Sequence, residues 1–238
     1  MTFEQGRNMA LIVLSGPLIS GLLSTYLLEG RVGVRNLFSR MFKWRVGIGW
    51  YAAALLIFPV LILAVLSSLS AFYSSDFSPN FFSFGIIGGL MAGFIEETGW
   101  MGYAYPRMQS KYGPMRATIY LGLIHGVWHL AADVLGAYYT NGAYWLPRFV
   151  VMWMVAMVAM RVILVWIYSN TGSLLLAQLT HASSTGFLIM LGPSTTPANE
   201  TFWWAIYAVV LWILAATILM RYGKQFIREP KRVEGAVL

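Results

Sequence analysis

Apolar residues run almost unbroken through seven stretches, roughly residues 9–28, 49–72, 84–105, 117–138, 149–168, 173–192 and 202–220. Each is about 20 residues long, enough for an α-helix to cross a hydrocarbon core of roughly 30 Å. Polar residues gather between the stretches. Strand-period alternation is absent, which argues against a transmembrane barrel. The pattern predicts an all-α, polytopic transmembrane bundle of about seven spans, in a single domain covering residues 1–238. Proline and small polar residues at Asp76–Pro79 and Pro193–Pro197 mark loops. The first apolar run is too long for a signal-peptide core and lacks a convincing cleavage site, so it reads as a retained span.

Composition sharpens this picture. Only 11% of the 238 residues are charged and 58% are hydrophobic, with a mean hydropathy of +0.66. A soluble domain carries about 25% charged residues, so lipid rather than water must cover most of the surface. The net charge of +7 does not point to nucleic acid, because the basic residues lie between apolar runs. Arg31, Arg35, Arg40, Lys43 and Arg45 fill one connection, and Arg107, Lys111 and Arg116 another. Arg221, Lys224, Arg228, Lys231 and Arg232 fill the C-terminal tail, which reads as a solvated basic end, while the connection around Asp76 has no basic residue. By the positive-inside rule the N-terminus lies outside and the C-terminus in the cytoplasm. Trp44, Trp50, Tyr51, Trp145, Trp203, Trp204 and Tyr222 stand near span ends, where aromatic anchors are expected. There is no cysteine, which excludes disulfides, thiolate metal sites and a cysteine nucleophile.

Ionisable residues inside spans are costly and mark functional sites by default. Here they are Glu96 and Glu97 in "FIEETGWMGYAY", His125 and His129 in "LIHGVWHL", Asp133 one turn on, Arg161, and His181 in "LAQLTHASST". At ~1.5 Å per residue, Glu96 and His129 lie about 18 Å, and His181 about 13 Å, into their spans. All three depths fall near the middle of a core roughly 30 Å thick, so their helices can converge on one polar cavity. A carboxylate can serve as general base there, and imidazoles can orient water or meet a developing oxyanion. Glu96, His125, His129 and His181 are also zinc-ligand types, so Zn2+ is a candidate cofactor; an H-E-x-x-H helix is absent. Ser183 and Ser184 lie near His181, but nothing marks either as an activated nucleophile. On the residues alone, hydrolysis, proton-coupled transport and structural polarity all stay open. Arg161 reads as a partner for a buried carboxylate, and Gly99 and Gly102 as positions of close helix packing.

At these residues the sequence resembles the CAAX-protease and bacteriocin-processing (CPBP, or Abi) family of intramembrane proteases. That family carries Glu-Glu-x-x-x-Arg, Phe-x-x-x-His and His-x-x-x-Asn on successive helices. "EETGWMG" supplies Glu96 and Glu97, "HGVWH" supplies His129, and "HASST" supplies His181. The motif core is about 84–192. The resemblance implies that Glu96 and His129 activate a water, that His181 and the residue at the Asn position stabilise the oxyanion, and that Glu97 shapes the site. It implies an endopeptidase acting on a membrane-embedded peptide or protein, with or without zinc, and an additional span preceding "SGPLISG" in many members.

Three positions depart from the pattern: Met101 replaces the arginine, His125 the phenylalanine and Thr185 the asparagine. Arg161 can stand in for the missing cation only if its guanidinium reaches the carboxylates. Thr185 keeps a hydroxyl donor, and His125 adds a third imidazole. A catalytically inactive member serving bacteriocin self-immunity or a membrane-protein partner is the first alternative. A small proton-coupled transporter is the second.

Overall fold

Gly85, Gly89 and Gly93 recur every fourth residue, so on a helix they form one bare stripe. The computed structural model describes the backbone of residues 3–227, and side chains from Ser15 onward. In it the stripe lies on α3 (Phe84–Gly99) and faces α9 (Leu174–Leu191). A Cβ at Gly93 would come within 2.3 Å of the Gln178 carbonyl oxygen, and one at Gly89 within 2.3 Å of the Ala182 carbonyl oxygen. Only glycine permits that approach, the usual device for joining helices in lipid. Glu97 follows Gly93 by four residues and so stands on the same face.

The same logic joins the other helices around α3. The helix α1 (Phe3–Met41) bends at Gly30, whose φ of 62° a side chain disfavours. Its Gly21 meets Gly99 of α3, where an added Cβ would lie 2.7 Å from the Gly99 Cα. Beyond the bend the basic segment docks through Arg40, which donates to the Gly102 carbonyl and the Tyr168 hydroxyl. Next come α2 (Ile48–Phe72), α4 (Tyr105–Tyr112) and α5 (Pro114–Trp128). They are followed by α6 (Leu130–Asn141), α7 (Trp145–Phe149), α8 (Met157–Thr171) and α10 (Pro197–Tyr222). Two π-helical turns interrupt the series, Trp100–Ala104 after α3 and Val150–Ala156 before α8. Helix ends follow local chemistry: the Ser173 hydroxyl caps α9, Thr196 caps α10, and left-handed Gly172 closes α8.

All seven expected stretches are helical, and no strand occurs among the described residues. Four helical segments there are long and apolar enough to cross a membrane: Ile48–Phe72, Leu130–Thr171, Leu174–Leu191 and Pro197–Gln225. The expected span 117–138 is not one rod, because the helix breaks at His129 (φ −73°, ψ −11°) between α5 and α6. The other short piece is α3, which is 16 residues long before its π turn.

Trp44 is exposed, as an anchor must be, whereas Trp203 and Trp204 are buried and pack against each other and Tyr207. The tail also departs from a wholly solvated end. Phe226 is fully buried and its carbonyl accepts from the Asn170 amide. Arg228, Lys231 and Arg232 lie outside the described residues. Large apolar side chains such as Ile48, Phe72 and Phe81 face outward, as lipid contact requires.

The glycine stripe makes a direct test. Gly93→Ala should cost about 1–3 kcal/mol by overpacking. Gly136→Ala on α6, where an added Cβ meets nothing within 4 Å, should be neutral or stabilise by up to ~1 kcal/mol. Thermal unfolding in detergent would compare the two, and equal responses would refute the close-approach account.

Candidate active site

Successive residues on an α-helix point about 100° apart, so the adjacent carboxylates of α3 meet different partners. Glu97 is fully buried. Its Oε2 accepts from Arg161 Nη1 at 2.7 Å, and its Oε1 accepts from His181 Nδ1 at 2.6 Å. Glu96, also buried, accepts at Oε2 from His125 Nε2 at 2.8 Å. Arg161, on α8, reaches His125 as well, donating from Nη2 to Nδ1 at 2.5 Å. The guanidinium thus reaches one carboxylate of the pair, the condition for it to stand in for the motif arginine, and Met101 is buried apolar packing.

One turn beyond His125, His129 places its Nε2 3.3 Å from that of His125. Four helices therefore converge: α3 with both carboxylates, α5 with His125 and His129 at its end, α8 with Arg161, and α9 with His181. The approach of α5 to the second π turn again rests on glycine. A Cβ at Gly126 would lie 2.0 Å from the Trp153 carbonyl oxygen.

Trp153 is the residue that sequence reading missed. It sits in the second π turn and stacks on His129, with centroids 3.6 Å apart and planes 15° from parallel. Its indole N–H donates to Asp133 Oδ1 at 2.9 Å. The same buried carboxylate accepts from Arg148 at 2.8 Å and from Trp145 at 2.7 Å. Asp133 therefore has a positional role that its place one turn after His129 only hinted at. Nothing in the linear pattern pairs it with residues 12 to 20 positions later.

Thr185 lies on α9 one turn after His181 and lines an apolar cavity of about 270 Å³ with Trp153, Ser184, Met157 and Tyr207. The Ser183 hydroxyl donates to the Leu55 carbonyl, so it is committed to the fold and not to His181.

The metal question can be tested on the donor set. The ligating atoms of Glu96, His125 and His129 lie within 4.8 Å of one another, while His181 is turned to Glu97 instead. A metal-bound histidine ordinarily donates its second ring N–H to an acceptor. His125 does the reverse: its second nitrogen faces Arg161, which has only donors. In this arrangement His125 does not fit as a zinc ligand.

Together these features define a helical membrane bundle with two buried carboxylates shared among three histidines and an arginine. Residues 78–187 match the family model described as type II CAAX prenyl endopeptidase Rce1-like. That segment includes every site residue from Glu96 to Thr185. A relative, CAAX prenyl protease 2 of Methanococcus maripaludis, is 28% identical over 162 residues, covering 66% of this chain and 55% of that protein. The chain thus spans just over half the length of this curated relative. Over residues 78–187 the chain is thus similar to the Rce1-like CAAX prenyl endopeptidases.

If the stack on His129 is held through Asp133, the two halves of Trp153 can be separated. Trp153→Phe keeps an aromatic ring and loses one hydrogen bond to a buried carboxylate, with an expected cost of about 1.5–3 kcal/mol. Trp153→Ala removes the ring as well, with an expected cost of about 3–5 kcal/mol. Chemical denaturation in detergent would report both, and equal losses would show that the ring contact contributes nothing.

Proposed function

We propose that this protein is an intramembrane endopeptidase that hydrolyses a peptide bond in a membrane-associated peptide or protein. The convergence of Glu96, His125 and His129 within 4.8 Å of one another, inside the Rce1-like segment, carries the reading. A water between the Glu96 carboxylate and the His129 ring would lose a proton to Glu96 as its oxygen attacks the scissile carbonyl. The C–N bond then breaks, and the proton passes to the leaving amine. His181, held at Nδ1 by Glu97, and the Thr185 hydroxyl would meet the carbonyl oxygen as charge develops on it.

The name of the relative suggests a prenylated C-terminal peptide as the substrate class, and the apolar cavity beside Thr185 suits an apolar substrate group. The alternation of basic connections favours a site reached from the cytoplasmic half of the bilayer.

The test uses full-length protein in lipid vesicles with a quenched fluorescent, farnesylated CAAX peptide. Wild type should cleave it. Glu96→Gln and His129→Ala should each lower the rate at least about 100-fold, the usual loss when a general acid–base group is removed. A comparison of membrane-protein termini between cells making wild type and cells making Glu96→Gln extends the test beyond that peptide. Identical termini together with an uncleaved peptide would refute proteolysis.

A further inference from the structure

One guanidinium makes two contacts in the middle of the site, to Glu97 Oε2 at 2.7 Å and to His125 Nδ1 at 2.5 Å. Arg161, Glu97 and His125 are all fully buried, so water does not compete for these positions. A guanidinium offers only donors and stays protonated in proteins. The contact at Nδ1 therefore requires a lone pair there. A neutral imidazole with its lone pair on Nδ1 carries its proton on Nε2. Nε2 faces an acceptor, Glu96 Oε2, at 2.8 Å.

We infer that Arg161 is a positioning residue that fixes His125 as its Nε2–H tautomer and, through that proton, holds the Glu96 carboxylate in place. Arg161 thereby governs both carboxylates, Glu97 by direct contact and Glu96 at one remove through His125. The role of Glu96 as base rests on the hydrolytic reading above, but the tautomer does not. One oxygen of Glu96 is committed to His125, and the other has no hydrogen bond among the described residues. The ring also has no lone pair left at Nε2. A cation binding there would have to displace the proton and leave His125 an imidazolate against Arg161.

The histidine nitrogens can be read directly. The chain has three histidines, so 15N-histidine labelling of the full chain in lipid vesicles gives a spectrum that His125→Gln assigns by difference. Solid-state NMR of wild type should show His125 with an unprotonated Nδ1 and a protonated Nε2. In Arg161→Lys the charge beside Glu97 remains, but a single ammonium does not reproduce the two-pronged contact. The His125 signals should then move to a mixture of tautomers or to the Nδ1–H form. A protonated Nδ1 in wild type would overturn the inference, and so would a His125 spectrum unchanged in a folded Arg161→Lys.

If that variant does not fold, Zn2+ titration of wild type serves instead. One equivalent should leave the His125 nitrogens unmoved, and loss of the Nε2 proton to the metal would overturn the inference. None of these readouts needs a substrate. A protein that failed to cleave peptides while showing the expected tautomer would refute the proposed function alone.

Discussion

The backbones of α3 and α9 touch, and the site exists because they do. Lipid tails are as apolar as leucine, so helices in a membrane gain little by hiding hydrophobic surface from them. What holds them is close contact, and at Gly85, Gly89 and Gly93 the contact is too close for any side chain. The next residue on that face is Glu97, which meets His181 of α9 at 2.6 Å. Packing and chemistry are consecutive entries on one helical stripe. A second glycine approach, Gly126 against Trp153, brings α5 and the second π turn together on the other side.

Bringing two carboxylates into so dry a place would be prohibitive without compensation, since buried charge is tolerated only when it is paired and hydrogen-bonded. The compensation is a network of shared partners. Arg161 answers Glu97 and organises His125, His181 answers the second oxygen of Glu97, and His125 answers Glu96. A separate buried group, Asp133 with Arg148, Trp145 and Trp153, fixes the ring against which His129 lies. Among the described residues the two networks meet at His129, which sits at the break between α5 and α6. A helix end leaves backbone groups without intrahelical partners, and it gives the side chain there a direction that a continuous rod would not.

Much of this was legible in the residues. Long apolar runs identify helices almost regardless of their surroundings, and few ionisable groups fall inside them, so Glu96, Glu97, His125, His129, Arg161 and His181 stood out at once. The loss of the motif arginine at Met101 also directed attention to Arg161. What stayed hidden depends on which way a face points. In a lipid-embedded helix both faces are apolar, so periodicity does not distinguish the buried Trp203 and Trp204 from interfacial anchors. Close packing was legible at Gly99 and Gly102, but the stripe of Gly85, Gly89 and Gly93 and its partner on α9 were not. The break at His129 and the two π turns change the path of the chain without changing its hydropathy. For that reason Trp153 and its contacts could not be found from the pattern alone.

The π turn Trp100–Ala104 carries a consequence of its own. A π turn amounts to one surplus residue inside an α-helix, and one residue is worth about 100° of rotation. Everything beyond it, including Arg107 with its partner Glu29 on α1, is dialled around relative to the two glutamates that precede it. Deleting a single residue from this turn would leave the composition and the motifs nearly untouched. It would still turn α4 away from α1 and withdraw the Gly102 carbonyl from Arg40. In relatives of this chain, an alignment gap of one residue at this place would therefore weigh more than many substitutions.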